Sequence, residues 1–251
     1  MPIRSHRYQL LVSLLTVALI PICVLIGYQS WLLQAEIRKA EEHQSVSTQQ
    51  IADQIESFVE MHRRGIEAAA FQITQSGERS KEKLDAILVA LYRQFPGFIN
   101  MYFADKRATT LAFHPEFNAR GESMVGADFS FREHFKNLLK EPRTYISPVL
   151  KGIGGTEKLL CTIVAPYFDK SGNFDGFVLG ALDLEKIGTI IKRAGLDKSI
   201  YAVVTDDQGQ AIYAPGWSAL NHPEALDIKA VSQANLVPGQ ILSLIHISEP
   251  T

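Results

Sequence analysis

The chain has 251 residues, a formal net charge of −2 and 46% hydrophobic residues. This length suffices for one or two domains with a buried core. The near-neutral charge argues against binding to nucleic acid, which requires a concentrated positive surface.

The N-terminal segment has the pattern of a membrane anchor. No charged residue occurs from Leu10 to Gly27, and a helix needs ~20 apolar residues to cross a bilayer. Arg4 and Arg7 precede this run, so the positive-inside bias predicts a cytoplasmic N-terminus at 1–9, a transmembrane helix at 10–33 and an external remainder. A cleaved signal peptide is the alternative, although its apolar core is normally shorter.

Residues 34–95 are predicted to form long extracytoplasmic helices. Apolar residues recur every three or four positions from Ile51 to Ile73, which is helical spacing. The segment 75–80 breaks this helix, and Ser80 is a candidate N-cap for a second helix that ends before Pro96. The apolar stripe predicts packing against the chain's own domain, and it also allows a homodimer through the long helix.

Residues 96–195 have the pattern of an α+β domain. Strands are predicted at 98–104, 108–114, 145–150, 158–167 and 176–184, and short helices at 131–139 and 185–194. This order predicts an antiparallel sheet with helices packed on it. A second strand–turn–strand unit at 199–214 echoes the first, which predicts an incomplete second module over 196–241.

The segment from Gly126 to Phe135 contains the centre of the candidate binding site. A charged group rarely enters an apolar neighbourhood without a partner, and Arg132 offers a fork of donors that matches a carboxylate. His134, neutral or charged, can take the second carboxylate oxygen if Arg132 lies in the loop before the helix, since residues two apart do not share a helix face. A structural ion pair of Arg132 with Asp128 or Glu133 is the alternative.

Further candidate ligand contacts lie on either side of this segment. Their side chains can supply hydroxyl groups, a second cation, an aromatic wall or an acid, and the candidates are Ser130, Phe129, Tyr102, Tyr145, Lys151 and Asp183. No hydrolase elbow, zinc-protease helix or phosphate-binding loop occurs in the sequence, and neither a metal nor a cofactor is expected. A membrane-anchored enzyme and a binding module that uses only the long helix are the rival functions.

In combination these features resemble the extracellular double Cache family of bacterial sensor proteins. The resemblance covers roughly residues 10–216 and implies a PAS-like membrane-distal pocket for a small molecule, in a cell-membrane receptor whose sensor lies in the periplasm or outside the cell. Besides the anchor, the long helix and 126–135, it rests on Tyr145-Ile-Ser-Pro148, Val164-Ala-Pro166, Asp169-Lys-Ser-Gly172, Gly180-Ala-Leu-Asp-Leu184 and Tyr201-Ala-Val-Val-Thr-Asp206.

The resemblance also bears on the ligand. Many family members that bind amino acids carry an arginine followed, one residue later, by tryptophan and tyrosine. Here Arg132 matches, but His134 and Phe135 replace the aromatic pair. The segment 129–132 is closer to members that bind short organic acids such as pyruvate or C4-dicarboxylates, so a small carboxylate is the predicted ligand. Asp183 can correspond to the acid that holds the amine in amino-acid binders, and an amino acid therefore stays an alternative.

The last ten residues, 242–251, resemble the translation of a sequencing-library transposon adapter. Such segments are left out of fold prediction. On this interpretation the native protein continues beyond them, and the resemblance implies the end of the second module, a second membrane helix and a cytoplasmic output. That output would be a histidine kinase, a diguanylate cyclase or a chemotaxis signalling domain.

Overall fold

The computed structural model describes residues 3–152, 158–194, 200–205, 211–213 and 241–246. The chain divides into two units, Met1–Gln49 and Gln50–Thr251. Helix α1 (Ile3–Ser76) begins in the first unit and ends in the second.

The first unit exposes a run of large apolar side chains. Those of Leu19, Ile26 and Trp31 are among them, with 51%, 59% and 61% of their surface in solvent. No helix in the described part of the chain is long and apolar enough to cross a membrane. The transmembrane helix predicted for residues 10–33 is therefore not confirmed.

The second unit contains the C-terminal part of α1, which buries the predicted apolar stripe. Ile55, Ile66 and Ile73 are fully buried, as helical spacing requires of one face. Burial of each such side chain contributes about 1.5–3 kcal/mol. The helix ends where Gly77 adopts a φ of 67°, which glycine tolerates without steric cost, and the Gly77 N–H donates to the Ile73 carbonyl at 3.0 Å.

Helix α2 (Lys81–Gln94) follows the predicted break. Ser80 occupies the N-cap position in an extended conformation, as expected, but its side chain makes no capping hydrogen bond. Its carbonyl instead accepts from the N–H of Leu84 at 3.1 Å. Leu84 and Leu88 are fully buried and anchor α2 in the same core as α1.

The main sheet of this unit is antiparallel, as predicted. Its long strands are β1 (Phe98–Asp105), β2 (Thr110–His114), β5 (Leu159–Phe168) and β6 (Phe174–Asp183), and its short ones are β3 (Tyr145–Ile146) and β4 (Leu150–Lys151). The strand order is β2-β1-β6-β5-β3, and β4 also pairs with β5. Strand β6 is thus central, which agrees with its continuous apolar sequence.

Each face of the sheet packs against a different layer, because successive residues of a strand point to opposite faces. Met101, Phe103 and Ile163 face α1 and α2 in one core cluster. Tyr102, Val164 and Leu179 face the other way, into a second cluster with the segment that follows β2. Tyr102 and Phe129, two of the candidate ligand contacts, belong to this second cluster.

The predicted strand at 145–150 is interrupted. Pro148 has no N–H to donate to a ladder, and the residues from Ser147 to Val149 separate β3 from β4. Ser147 compensates with two bonds to Thr162: its N–H donates to the Thr162 carbonyl, and its Oγ accepts from the Thr162 N–H, both at 2.8 Å. The edge of the sheet therefore stays attached to β5.

Two short helices complete this part of the fold. Helix α3 (Glu133–Lys140) starts two residues later than predicted, and α4 (Leu184–Arg193) follows β6 directly. Asp183 is the N-cap of α4, and its carboxylate accepts from the Glu185 N–H at 3.0 Å. Carboxylates at a helix N-cap are favourable because they satisfy free N–H groups.

A second, three-stranded sheet contains β7 (Ile200–Thr205), β8 (Ala211–Tyr213) and β9 (Ile241–His246). Strands β7 and β8 match the predicted strands at 199–205 and 210–214 and pair antiparallel. Strand β9 pairs parallel to β7 and covers the first half of the tail that was left out of the prediction. The turn predicted at 206–209 lies outside the described residues.

Candidate functional site

A small cavity of about 30 Å³ lies on the second face of the main sheet. A buried water needs ~10–15 Å³, so this space admits a small group without rearrangement. Its polar lining residues are Asn100, Tyr102, Arg132, His134 and Thr162. The remaining described lining is apolar and consists of Phe113, Phe129, Leu160, Leu179, Ala181 and Gly152.

The floor of the cavity comes from three neighbouring strands. Asn100 on β1, Ala181 on β6 and Thr162 on β5 are register partners and form one row across the sheet. Tyr102 and Leu179 belong to the adjacent row. The period-two alternation of the strands brings all five side chains to one face.

The wall opposite the floor is formed by the start of α3. Arg132 is the N-cap residue, with an extended backbone (φ −75°, ψ 140°), and its carbonyl accepts from the N–H groups of Phe135 and Lys136. His134 lies in the first turn. Because Arg132 precedes the helix, the two side chains are not bound by helical spacing, and both reach the cavity. The two side chains can converge only if Arg132 precedes the helix, and Arg132 does so.

The hydroxyl of Tyr102 links the floor to this wall. Its oxygen lies 3.3 Å from Nε2 of His134, and both side chains are buried. The ring of Tyr102 stacks on Phe113 and on Phe129, each at 5.2 Å between ring centroids. Stacking against two aromatic rings restricts where the hydroxyl can lie.

The buried pair Tyr102 and His134 is electrically neutral. Burial, assisted by the charge of Arg132, lowers the pKa of His134 to about 3. Burial raises the pKa of the Tyr102 hydroxyl well above its usual range, although the Arg132 charge opposes this shift. Neither group carries charge near pH 7, so His134 contributes hydrogen bonds and no second positive charge.

Arg132 is the charged group of the described lining. It is partly buried, and this desolvation lowers its pKa, yet an arginine keeps its proton at any physiological pH. The ion pairs with Asp128 and Glu133 considered from the sequence are absent: Asp128 accepts from the Ser130 N–H, and Glu133 pairs with Lys136. Within the described residues, no carboxylate compensates the charge of Arg132.

Thr162 contributes a hydroxyl that the sequence did not single out. The residue is 3% exposed, and its Oγ1 has no hydrogen-bond partner among the described residues. Its neighbours on the same strand face, Leu160 and Val164, are apolar. A buried hydroxyl without a partner costs about 1–3 kcal/mol, so this group is suited to a bound partner.

Four of the eight candidate contacts line the cavity, and the structure places the other four elsewhere. Ser130 is exposed in the loop before α3, and Lys151 is exposed on β4. Tyr145 is on β3 opposite Val164. Asp183 caps α4 and lies on β6 opposite Leu160, two residues beyond Ala181.

The sequence also missed Asn100, the other polar residue of the floor. Its position in an otherwise apolar strand was the available signal for both Asn100 and Thr162. Asn100 alternates with the buried Met101 along β1, just as Thr162 alternates with Ile163 along β5. A polar residue on a buried sheet face marks a site once the pairing of strands is known, and the pairing is what the sequence could not supply.

Neither a protein-family model nor a curated protein sequence matches this chain. Solved structures do. An extracellular ligand-binding receptor from Desulfohalobium retbaense is 22% identical, with a TM-score of 0.62 over 74% of this chain and 33% of its own. This chain thus spans about a third of that receptor.

Two chemoreceptor domains show the same similarity. The ligand-binding domain of the Pseudomonas aeruginosa amino acid chemoreceptor PctC, solved with GABA, is 21% identical, with a TM-score of 0.61 over 80% of this chain and 86% of its own. The ligand-binding domain of the Campylobacter jejuni chemoreceptor Tlp3, solved with 4-methylisoleucine, is 13% identical, with a TM-score of 0.58 over 74% of this chain and 73% of its own. The chain therefore has the fold of extracellular, Cache-type chemoreceptor sensor domains, as its sequence resemblance predicted.

Proposed function

We propose that this chain is the extracytoplasmic sensor region of a bacterial signalling receptor and that its cavity binds a small organic acid. Arg132 carries this proposal: it is a partly buried cation on a cavity whose described lining contains no carboxylate. A desolvated charge is costly unless a partner of opposite sign is present. A ligand carboxylate would be that partner, held by two parallel hydrogen bonds from the guanidinium.

The neutral groups around Arg132 fit the same ligand. The imidazole of His134 and the hydroxyl of Tyr102 can donate or accept hydrogen bonds without adding charge. Phe113 and Phe129 give the site an apolar surface, and an ion pair with the ligand is stronger beside such a surface than in water. Because Lys151 is exposed on β4 and is not among the described lining residues, a monocarboxylate matches the charge of the cavity better than a dicarboxylate.

An amino acid is the second candidate ligand. GABA and 4-methylisoleucine occupy two of the similar domains, and the charged amine of such a ligand requires an acid. Asp183 would have to supply it, from its position at the end of β6 next to Leu160. Its carboxylate already accepts the capping bond from Glu185, which favours the organic acid.

The remaining assignments are proposals of the same kind. Residues 96–195 would form the membrane-distal ligand-binding module, and residues 34–95 the helices that connect it with a membrane anchor at 10–33. The exposed apolar side chains from Leu19 to Leu33 support an anchor, since water disfavours such a surface.

The exposed side chains of Met61 and Phe71 on α1 support a homodimer through this helix. Because the similar solved structures are ligand-binding domains, we propose a binding role and no catalytic activity for this region.

A thermal-shift screen against small mono- and dicarboxylates and amino acids tests the proposed function. We expect at least one short monocarboxylate to raise the melting temperature of the full chain. The Arg132→Ala variant should lose this shift. Arg143→Ala is the matched control, because Arg143 is exposed and pairs with Glu141 at the surface. Failure of every acid, or an equal shift with Arg132→Ala, would contradict the proposal.

A further inference from the structure

Thr162 is a polar residue whose presence the fold itself does not explain. Its backbone N–H and carbonyl are both bonded to Ser147. Its side chain belongs to the cavity lining, and its hydroxyl is buried there without a partner within the described part of the chain. A valine of the same shape would fit this strand face without an unpaired hydroxyl. The hydroxyl is therefore suited to a group that enters the cavity.

Asn100 lies in the same row of the sheet, on the other side of Ala181. Ala181 pairs with Asn100 across β1 and β6, and with Thr162 across β5 and β6. Alanine leaves the space above it open, while its two neighbours offer an amide and a hydroxyl. Both groups donate and accept hydrogen bonds, and both are uncharged. This row of side chains is therefore suited to hydrogen bonds with an uncharged polar group of a ligand that lies over Ala181.

We propose that Asn100 and Thr162 determine ligand specificity by binding a hydroxyl or oxo group of a short monocarboxylic acid whose carboxylate lies on Arg132. The inference rests on the proposed function and adds the class of acid. An ammonium group over Ala181 would meet no negative charge in the described lining, and a second carboxylate would meet no second cation. The small cavity volume of about 30 Å³ favours a short carbon chain over a long one.

Four ligands of nearly equal size separate the possibilities. Lactate, pyruvate, propionate and alanine share a three-carbon carboxylate frame and differ only at C2, with a hydroxyl, an oxo group, two hydrogens or an ammonium group. Calorimetric titration of the full chain should give at least tenfold tighter binding for lactate or pyruvate than for propionate and alanine. Propionate binding as tightly as both oxygenated acids would overturn the inference, while leaving the proposed function intact.

Variants at position 162 give a second test. Thr162→Val removes the hydroxyl and keeps the shape, so it should weaken binding of the preferred acid about tenfold and leave propionate affinity unchanged. The same variant should raise the melting temperature without ligand, because it removes an unpaired buried hydroxyl. Thr162→Ser keeps the hydroxyl and should retain the preference. Unchanged discrimination in Thr162→Val contradicts the inference, and absence of binding by every acid, in wild type as well, contradicts the proposed function too.

Discussion

The hydroxyl oxygen of Tyr102 lies 3.3 Å from Nε2 of His134, and this contact joins strand β1 to helix α3 in the buried part of the site. Both groups are uncharged in the folded protein, because burial moves both pKa values away from neutrality. The contact therefore holds the start of α3, which carries Arg132, in place and adds no second charge to the site. Its contribution can be measured through stability and through binding.

Tyr102→Phe should destabilise the chain by about 1–2 kcal/mol. The change removes the hydroxyl and leaves Nε2 of His134 buried without this partner. Urea unfolding measures the difference, and ligand affinity should fall as well because α3 loses a fixed attachment. Tyr92→Phe is the matched control, since the Tyr92 hydroxyl has no hydrogen bond among the described residues and its loss should be nearly neutral. Equal effects of the two variants would show that the Tyr102 contact contributes nothing.

Ligand affinity should be nearly constant between pH 5 and pH 8. Arg132 keeps its proton over this range, and His134 with a pKa of about 3 stays neutral. The pH dependence of the dissociation constant of the bound acid is the measurement. If affinity rose as pH fell through 6.5, His134 would be binding as a cation, and the neutral site described above would be incorrect.

Folding stability, in contrast, should decrease as the solution becomes acidic. The unfolded chain takes up a proton on His134 below pH 6.5, whereas the folded chain does so only near pH 3, so protonation favours unfolding between these values. The loss between pH 6.5 and pH 4 is up to about 3 kcal/mol. His134→Gln should show a shallower decline in urea unfolding across this range. Burial also lowers the pKa of His62. Because His62 is present in both wild type and His134→Gln, its contribution to the pH dependence cancels when the two proteins are compared.

The sequence predicted the elements of the fold well and the lining of the candidate cavity only in part. The helical stripe from Ile51 to Ile73 and the break before Lys81 were correct, because each depends on residues close together in the chain. Arg132 and His134, which line the cavity, were singled out because their chemistry is unusual beside aromatic residues. Thr162 and Asn100 were missed because their importance depends on strand register, which pairs both with Ala181, a residue distant from them in the sequence.

Asp183 illustrates the opposite error, in which a residue selected from the sequence as a ligand contact has a structural role. An acid near the end of a strand can serve a ligand amine or cap the next helix, and the two roles look alike in a sequence. In the structure, the Asp183 carboxylate accepts the capping hydrogen bond from the Glu185 N–H. The distinction needs the position of the helix start to within one residue, and helix boundaries are the least certain part of such predictions.

Asp183→Asn separates the two ligand classes. Asparagine caps a helix about as well as aspartate, so stability should change little, and affinity for a monocarboxylate should stay within about twofold of wild type. If the ligand were an amino acid with its amine on Asp183, loss of this charge would weaken binding by roughly tenfold or more. Titrations of wild type and Asp183→Asn with lactate and with alanine distinguish an organic-acid site from an amino-acid site.

Gly180→Ala should destabilise the chain by about 2–3 kcal/mol. A methyl group at this position would overlap the ring of Phe98 and come within 2.8 Å of Ile66 Cδ1, so α1 could not pack as closely on β6. Gly121→Ala is the control, because it has a positive φ but open space around it, and it should cost only about 1 kcal/mol. Equal unfolding free energies for the two variants would argue against close packing of α1 on the sheet.

The most direct test of the central claim is a crystal structure of the chain with a bound three-carbon acid. We expect the carboxylate to accept two hydrogen bonds from the Arg132 guanidinium at about 2.7–2.9 Å, in the cavity between β5 and α3. Its C2 oxygen should lie over Ala181, within hydrogen-bond distance of Thr162 Oγ1. A carboxylate bound elsewhere, with the Arg132 side chain turned to solvent, would contradict the assignment of this cavity as an organic-acid site.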